Sequence, residues 1–265
     1  MTSTTTTAPA FFISHGAPTF AIEPGILGPA LRAMGQQLSG ARAVLVVSPH
    51  WQTRGVSVMI TEKPPTVHDF GGFPAELYEL RYPAQGQPAL AGEAARVLAE
   101  AGWSVNLEAR RGLDHGAWVP LMHMLPAANM PVFQVSMPHD LDAAGAFRLG
   151  QSLAPLRQQG VVILASGSMT HNLHEIFNGD GRPDAYALEF AHWVRNAVTG
   201  NNTQSLVDYR RLAPHAQRAH PTDEHFLPLL VAMGAQAPGE TAQYVNGGVT
   251  FGVLSMDSYA WGLPS

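Results

Sequence analysis

Three histidines of this 265-residue chain come shortly after apolar runs that are typical of buried β-strands. His15 follows residues 11–14, His50 follows residues 44–49, and His171 comes soon after residues 161–166. In open α/β sheets, ligands bind outside the carboxyl ends of the strands, so distant stretches of chain can deliver side chains to one edge. Imidazole is also the commonest metal-ligating side chain. The pattern therefore predicts a mononuclear metal site with a catalytic role.

The amino-acid composition excludes or disfavours several classes of protein. The chain has no cysteine, which excludes disulfides, a thiolate nucleophile and a Cys-type zinc site. A formal net charge of −5, without any Lys/Arg-rich run, disfavours a nucleic-acid partner. No apolar stretch approaches the roughly 20 residues of a membrane helix, and the Thr-rich N-terminus does not resemble a secretory signal. We therefore expect a cytoplasmic protein without a membrane partner, with residues 1–8 as a disordered tail and residues 9–265 as a single catalytic domain.

Strand-like runs alternate with helical patterns along the chain, which predicts a single α/β domain with helices flanking a central sheet. The candidate strands are 10–14, 42–48, 55–61, 103–108, 131–136, 160–166, 241–246 and 249–255. The candidate helices are 24–39, 87–101, 142–158, 184–199 and 223–234. The turn Asn246-Gly247-Gly248 predicts a hairpin between the last two strands, which would make the sheet mixed. The metal site would then lie at the C-terminal ends of the strands.

Other histidines stand in polar loops that could contribute chemistry. His115 follows Asp114 ahead of a helix, where it could act as an acid, a base or a hydrogen-bond donor. The alternative is a turn in which Asp114 is only a helix cap. His171 and His174 would share one face if their segment were helical, and we favour His171 because it is nearer to the strand end.

The last candidates lie in a late helix and in a long loop. His225 falls in the first turn of the helix predicted over 223–234, where Glu224 competes with it as a ligand. His68 lies in the loop 62–86 and could face a substrate, since long structured loops are often functional. Trp51, next to His50, would supply an aromatic wall.

Six motifs occur in one order across most of the chain. They are Ser14-His15-Gly16-Ala17-Pro18, Ser48-Pro49-His50-Trp51, Asp69-Phe70-Gly71-Gly72-Phe73-Pro74, Gly112-Leu113-Asp114-His115-Gly116-Ala117-Trp118, Thr170-His171-Asn172-Leu173 and Pro221-Thr222-Asp223-Glu224-His225. Together they resemble the extradiol ring-cleavage dioxygenases of the 4,5-DOPA dioxygenase type, a branch of the class III extradiol superfamily. Any one motif would be a weak signal, whereas the ordered set is a strong one.

The resemblance implies how the site would be built. His15, His50 and His225 would bind the metal, and His171 would be either a fourth ligand or the catalytic acid/base. His115 would hydrogen-bond the substrate, which would be a DOPA-like or other catechol opened by dioxygen. Activity would require Fe(II), although three histidines also suit Zn(II) as the bound metal. The superfamily usually has Glu in place of His225, and the DOPA-type branch has His.

The residues leave two alternatives open. A zinc hydrolase would use the same histidines and an activated water, and it would work anaerobically. A non-enzymatic binding protein would retain the pocket without turnover. Neither explains as many motifs together. The residues leave open which catechol is the substrate, which bond is cleaved and whether the chain forms a homo-oligomer.

Overall fold

A mixed sheet with helices on both faces forms the body of the protein, as the strand and helix patterns predict. The computed structural model describes residues 7–176 and 182–263. The strands are β1 (Ala10–Ser14), β2 (Ala43–Thr53), β3 (Val56–Met59), β4 (Val105–Glu108), β5 (Val132–Pro138), β6 (Val161–Gly167), β7 (Gln243–Val245), β8 (Val249–Thr250), β9 (Leu254–Ser255) and β10 (Ser258–Trp261). The α-helices are α1 (Leu27–Gln36), α2 (Ala75–Glu79), α3 (Pro88–Glu100), α4 (His115–Met124), α5 (Ala143–Leu153), α6 (Ala185–Thr199), α7 (Thr203–Val207), α8 (Tyr209–Leu212), α9 (Ala216–Ala219) and α10 (Leu227–Gly234).

Eight strands form the main sheet in the order β4-β3-β5-β2-β6-β1-β10-β7. The four central strands β5, β2, β6 and β1 run parallel, whereas β3 and β10 pair antiparallel to their inner neighbours. The predicted mixed sheet is therefore confirmed. Because the carboxyl ends of the parallel strands meet at one edge, residues that follow β1 and β6 come close to the end of β2.

The central strands are buried on both faces, which explains their nearly continuous apolar sequences. Helices α1 and α4 pack together on the sheet, and α10 packs on α5 and against β6. Helix α1 shows why such elements form: Leu27, Leu31 and Met34 recur at helical spacing and are all buried. Within residues 7–176 and 182–263, no helix is long and apolar enough to cross a membrane.

The C-terminal hairpin prediction is wrong. Strand β7 pairs with β10, an element that the sequence patterns did not reveal, and β8 pairs with β9 in a separate two-stranded sheet. Strand β10 is only four residues long, but it lies between β1 and β7 and is fully buried. Long-range pairing with β1 outweighs the local turn signal at residues 246–248, because it satisfies the backbone groups of an otherwise open sheet edge.

Two boundaries near the predicted site also differ from expectation. Strand β2 continues past His50 to Thr53, beyond the end predicted at residue 48. Helix α10 begins at Leu227, so His225 precedes this helix and does not lie in its first turn.

Most of the predicted N-terminal tail, residues 1–6, lies outside the described residues. Ala8, at the end of that segment, is buried. Its backbone N–H donates to the Arg157 carbonyl at 2.9 Å, and its own carbonyl accepts from the Arg157 side chain at 2.6 Å. The chain is therefore attached to the domain from Ala8 onwards.

Candidate metal centre

His15 and His50 bring their ring nitrogens together at the edge of the sheet. His15 directly follows β1, and its backbone N–H donates to the Gly167 carbonyl at 2.9 Å, at the end of β6. His50 lies where the β2–β5 register shifts between Val47 and Gln52, an irregularity that re-aims side chains. The two Nε2 atoms are 3.2 Å apart. Such a pair of nitrogens either shares a proton or can bind a common cation.

His225 reaches the same edge from the turn before α10. The Ser168 backbone N–H donates to the His225 carbonyl at 2.9 Å, which fixes this turn against the end of β6. The contact requires glycine at position 167, because a Cβ there would lie 2.4 Å from the His225 carbonyl oxygen. The centroid of the His225 ring is then 5.5 Å from that of His15 and 5.1 Å from that of His50.

His115 is the first residue of α4, which confirms the helix that was expected after Asp114. The Asp114 side chain caps this helix by accepting from the Ala117 N–H at 3.2 Å. Gly116 allows the helix to start against β2, because a Cβ there would meet His50 Cδ2 at 3.0 Å. The His115 and His50 ring centroids are consequently only 4.0 Å apart.

His171 stacks on His225, with ring centroids 3.4 Å apart and planes inclined by 9°. Its backbone N–H donates to the Ala219 carbonyl at 2.7 Å. The segment that follows is made of turns, so the helical face that would join His171 to His174 does not form. His174 is exposed on the surface, whereas His171 is half-buried beside the other imidazoles.

Two separate groups of three side chains could each hold a metal ion. One contains His15, His50 and His115, and the other contains His171, Glu224 and His225. Within each group the ligand atoms lie within 4.8 Å of one another. The structure thus brings all five histidines of the sequence hypothesis to one edge, with Glu224 beside them.

Burial disfavours the charged form of His15, His50, His171 and His225. It lowers the pKa of His15 and of His225 well below the ordinary value, and the neighbouring imidazoles lower both further. Burial also lowers the pKa of His50 to about 4, assisted by His115, and that of His171 to about 4. A metal binds the neutral form of imidazole, so these side chains have their lone pairs available near neutral pH.

The donor set fits a divalent metal. The Nε2 atom of His225 is buried and has no hydrogen-bond partner among the described residues. A buried nitrogen without a partner is costly, and a bound metal would satisfy it. The opposite nitrogen, Nδ1, faces the Ser166 hydroxyl at 2.8 Å in His15 and a Glu224 oxygen at 3.0 Å in His225. Metal-ligating histidines commonly make such contacts through their second nitrogen.

Asp69 is the carboxylate that joins the two sides of the cluster. One of its oxygens accepts from the His115 backbone N–H at 2.9 Å and faces His115 Nδ1 at 3.0 Å. The other lies 3.7 Å from His50 Nδ1. Burial raises the pKa of Asp69, but its contacts with His115 and His50 outweigh this and lower it to about 2.

The two predicted substrate-binding residues, His68 and Trp51, are held by contacts with residues outside the histidine cluster. His68 Nε2 faces the Leu80 carbonyl at 3.1 Å, within the loop 62–86, and its ring contacts Phe70. Trp51 is buried, with the Arg111 guanidinium 5.2 Å from its ring centroid. Their role toward a substrate stays a prediction.

Local sequence patterns do not identify Asp69 or Ser166 as site residues. Asp69 stands in one of the six motifs, and that position was the only available signal for it. Ser166 is the penultimate residue of an apolar strand and carries no local signal at all. Only the parallel pairing of β6 with β1 places it under His15.

Comparison with known proteins agrees with this geometry. Residues 9–252 match the family described as the catalytic LigB subunit of aromatic ring-opening dioxygenase. A Beta vulgaris protein named 4,5-DOPA dioxygenase extradiol is 40% identical over 253 residues, covering 94% of each chain. An Escherichia coli K12 protein of the same name is 38% identical over 257 residues, covering 95% of this chain and 93% of the relative.

A solved structure shares the fold. The crystal structure of an uncharacterized protein from Escherichia coli K12 superposes with a TM-score of 0.79 at 32% identity, covering 96% of this chain and 99% of that one. None of these similarities favours the zinc-hydrolase alternative. With its histidine cluster at the sheet edge and a family match over nearly its whole length, the chain belongs to the LigB family of aromatic ring-opening dioxygenases and is an extradiol ring-cleavage enzyme.

Proposed function

We propose that His15, His50 and His225 bind Fe(II) and that the enzyme opens the ring of a catechol with O2. The main support for this ligand set is that the buried Nε2 of His225 has no hydrogen-bond partner among the described residues. The His225 ring also lies about equally far from the rings of His15 and His50. Three protein ligands leave coordination positions free for a bidentate catechol and for dioxygen. Bound Fe(II) would supply the positive charge that acidifies the catechol and the redox chemistry that O2 requires, whereas Zn(II) could occupy the site but has no redox chemistry.

His171 is the proposed acid/base of the reaction. Its ring is stacked face to face on that of His225, with the centroids 3.4 Å apart and the planes inclined by only 9°. The lone pair of an imidazole nitrogen lies in the plane of the ring, so two stacked rings do not direct their lone pairs at one point. This arrangement favours an acid/base role for His171 over that of a fourth ligand. Burial lowers the pKa of His171 to about 4, so its ring is neutral and has a lone pair free to accept a proton. The bound cation would have to acidify the catechol first, because an ordinary phenol has a pKa of about 10.

His115 is proposed to orient the substrate. Its Nδ1 is engaged by Asp69, so its Nε2 is the nitrogen available for a hydrogen bond to a catechol oxygen. The ring of Phe70 meets the His115 ring edge-on, with centroids 5.6 Å apart. Phe70 thus offers an apolar wall for a flat aromatic substrate, and the His68 ring packs edge-on against Phe70.

The relatives' names favour a DOPA-like catechol as the substrate. The test is anaerobic reconstitution with Fe(II), followed by a catechol panel that includes DOPA, with oxygen uptake and the absorbance of a yellow ring-opened product as readouts. We expect about one O2 consumed per catechol, and no uptake by His225→Ala. The exposed His192, substituted by Ala, is the matched control. A protein loaded with Fe(II) that consumes no O2 with any catechol would overturn the proposal.

Residues 9–265 are proposed to act as one catalytic domain with a catechol and O2 as its small-molecule partners. The cytoplasmic location and any homo-oligomer stay predictions. Light scattering of the purified protein measures its oligomeric state directly.

A further inference from the structure

The three proposed ligands differ in what supports their second ring nitrogen. Nδ1 of His15 faces the neutral hydroxyl of Ser166. Nδ1 of His225 faces a carboxylate oxygen of Glu224 at 3.0 Å, and Nδ1 of His50 faces a carboxylate oxygen of Asp69 at 3.7 Å. Two of the three rings therefore have an anion behind them.

The positive charge of a bound metal explains why anions would be needed behind its ligands. A divalent metal bound by three neutral imidazoles carries two positive charges, and His15 and His225 are almost fully buried. Burying an uncompensated charge is expensive, so such a centre needs anions close by. Together Asp69 and Glu224 supply two negative charges, each directed at the back of a ligand ring.

Both carboxylates are fixed by neighbours other than the ligands. Asp69 accepts the N–H of His115 at the start of α4, where the helix dipole stabilises an anion. Glu224 accepts from the Thr222 hydroxyl at 2.9 Å. Their side chains are only 22% and 27% exposed, so the solvent screens them partly.

Glu224 could instead be a ligand, as the group formed with His171 and His225 allows. Its oxygen, however, contacts Nδ1 of His225, and the orphaned Nε2 lies on the other side of the ring. One oxygen cannot accept a hydrogen bond from Nδ1 and also bind a metal that is held by Nε2, on the opposite side of the ring. The contact thus favours support of the ligand over direct binding.

We propose that Asp69 and Glu224 are positioning residues that hold the His50 and His225 rings with Nε2 toward the metal and balance its charge. This inference rests on the proposed function for the identity of the ligands. It adds that the affinity for a divalent metal depends on two carboxylates that do not touch it.

The test measures metal affinity separately from turnover. Asp69→Asn and Glu224→Gln keep the shape of each side chain and remove its charge. Asp223→Asn is the matched control, because Asp223 neighbours Glu224 but is bound by Tyr209 and paired with Arg210. Zn2+ affinity is measured by competition with a chelator, and the visible spectrum of the Co2+-loaded protein reports the ligand geometry. We expect each variant to bind Zn2+ about 10- to 100-fold more weakly and the control to change less than about twofold.

Each outcome decides the proposal. Variants that bind Zn2+ as tightly as the control would overturn it. Complete loss of binding in Glu224→Gln, equal to that in His225→Ala, would make Glu224 a ligand and overturn its assigned role. The expected affinity losses in a protein that consumes no O2 with any catechol would support this inference and refute only the proposed function. Oxygen uptake together with unchanged affinities would refute only this inference.

Discussion

The backbone of Gly167 lies directly against the backbone of His225. A β-carbon on residue 167 would stand 2.4 Å from the His225 carbonyl oxygen, which is closer than such atoms can approach. The end of β6 and the turn before α10 are held together at this point, and the ring of His225 reaches the cluster because of it. The absence of a side chain at position 167 is therefore a requirement of the metal centre.

Replacing Gly167 by Ala should displace His225. We expect a loss of about 1–3 kcal/mol in the free energy of unfolding, as for other overpacked sites, together with weaker Zn2+ binding. Urea unfolding and metal competition measure the two effects. Gly92→Ala is the control, because a Cβ at that position of α3 meets open space and should be neutral or stabilise by about 0.5–1 kcal/mol. Equal stability and affinity of both variants would contradict the prediction.

Replacing His171 should separate metal binding from catalysis. His171→Phe can preserve the stacking on His225 but cannot accept a proton. We expect metal content close to that of the unmodified enzyme and kcat reduced by about 10²- to 10⁴-fold, the usual contribution of an acid/base group. Metal analysis and steady-state oxygen uptake provide the readouts. Loss of metal as complete as in His225→Ala would show that His171 is a ligand.

Asp114 should be far more important to stability than another helix cap of the same kind. It is fully buried and accepts from Ser48 at 2.7 Å, from Arg111 at 2.8 Å and from Gln134 at 2.9 Å. Removing it leaves the buried partners unpaired, so Asp114→Ala should cost about 3–5 kcal/mol.

The comparison is Asp142→Ala, which removes an exposed cap of α5 and should cost about 1 kcal/mol. Urea unfolding of both variants at neutral pH measures the difference. Similar losses in the two variants would show that the Asp114 contacts contribute little beyond capping.

The metal-free protein should lose stability in mild acid, partly through His220. Burial lowers the pKa of His220 to about 3, whereas in the unfolded chain its pKa has the ordinary value of about 6.5. Between these values the unfolded state binds the additional proton, so the free energy of unfolding should fall as the pH decreases from about 6.5 toward about 3. Above this window His220 contributes no pH dependence.

His220→Asn isolates this contribution. Unfolding by urea in EDTA at pH 7, 6 and 5 should show a slope that is smaller by about 1 kcal/mol per pH unit in the variant. His192→Ala, at an exposed position, should keep the original slope. An unchanged slope in His220→Asn would mean that His220 is protonated in the folded protein.

Much of the fold could be predicted from local patterns. Strands β1 and β6 and helix α6 agree with expectation to within a residue or two at each end, because long apolar runs and clear helical periods determine them locally. The failures occur where long-range contacts decide. Strand β10 forms because β1 offers an open edge. The helix expected after Asp114 could not be given bounds, because α4 contains Pro120 and is apolar nearly all round, so it shows little amphipathic period.

The sequence by itself determined the chemical inventory: imidazoles in ordered motifs, no thiols, and a family resemblance that named the reaction class. Only the tertiary structure decided how these groups meet. His225 arrives from a turn before α10 because Gly167 admits its backbone, and Asp69 reaches both His50 and His115 from a loop without local period. The sequence specifies the type of each residue directly. The distances between the functional side chains depend on strand pairing and on close packing between segments that are far apart in the chain.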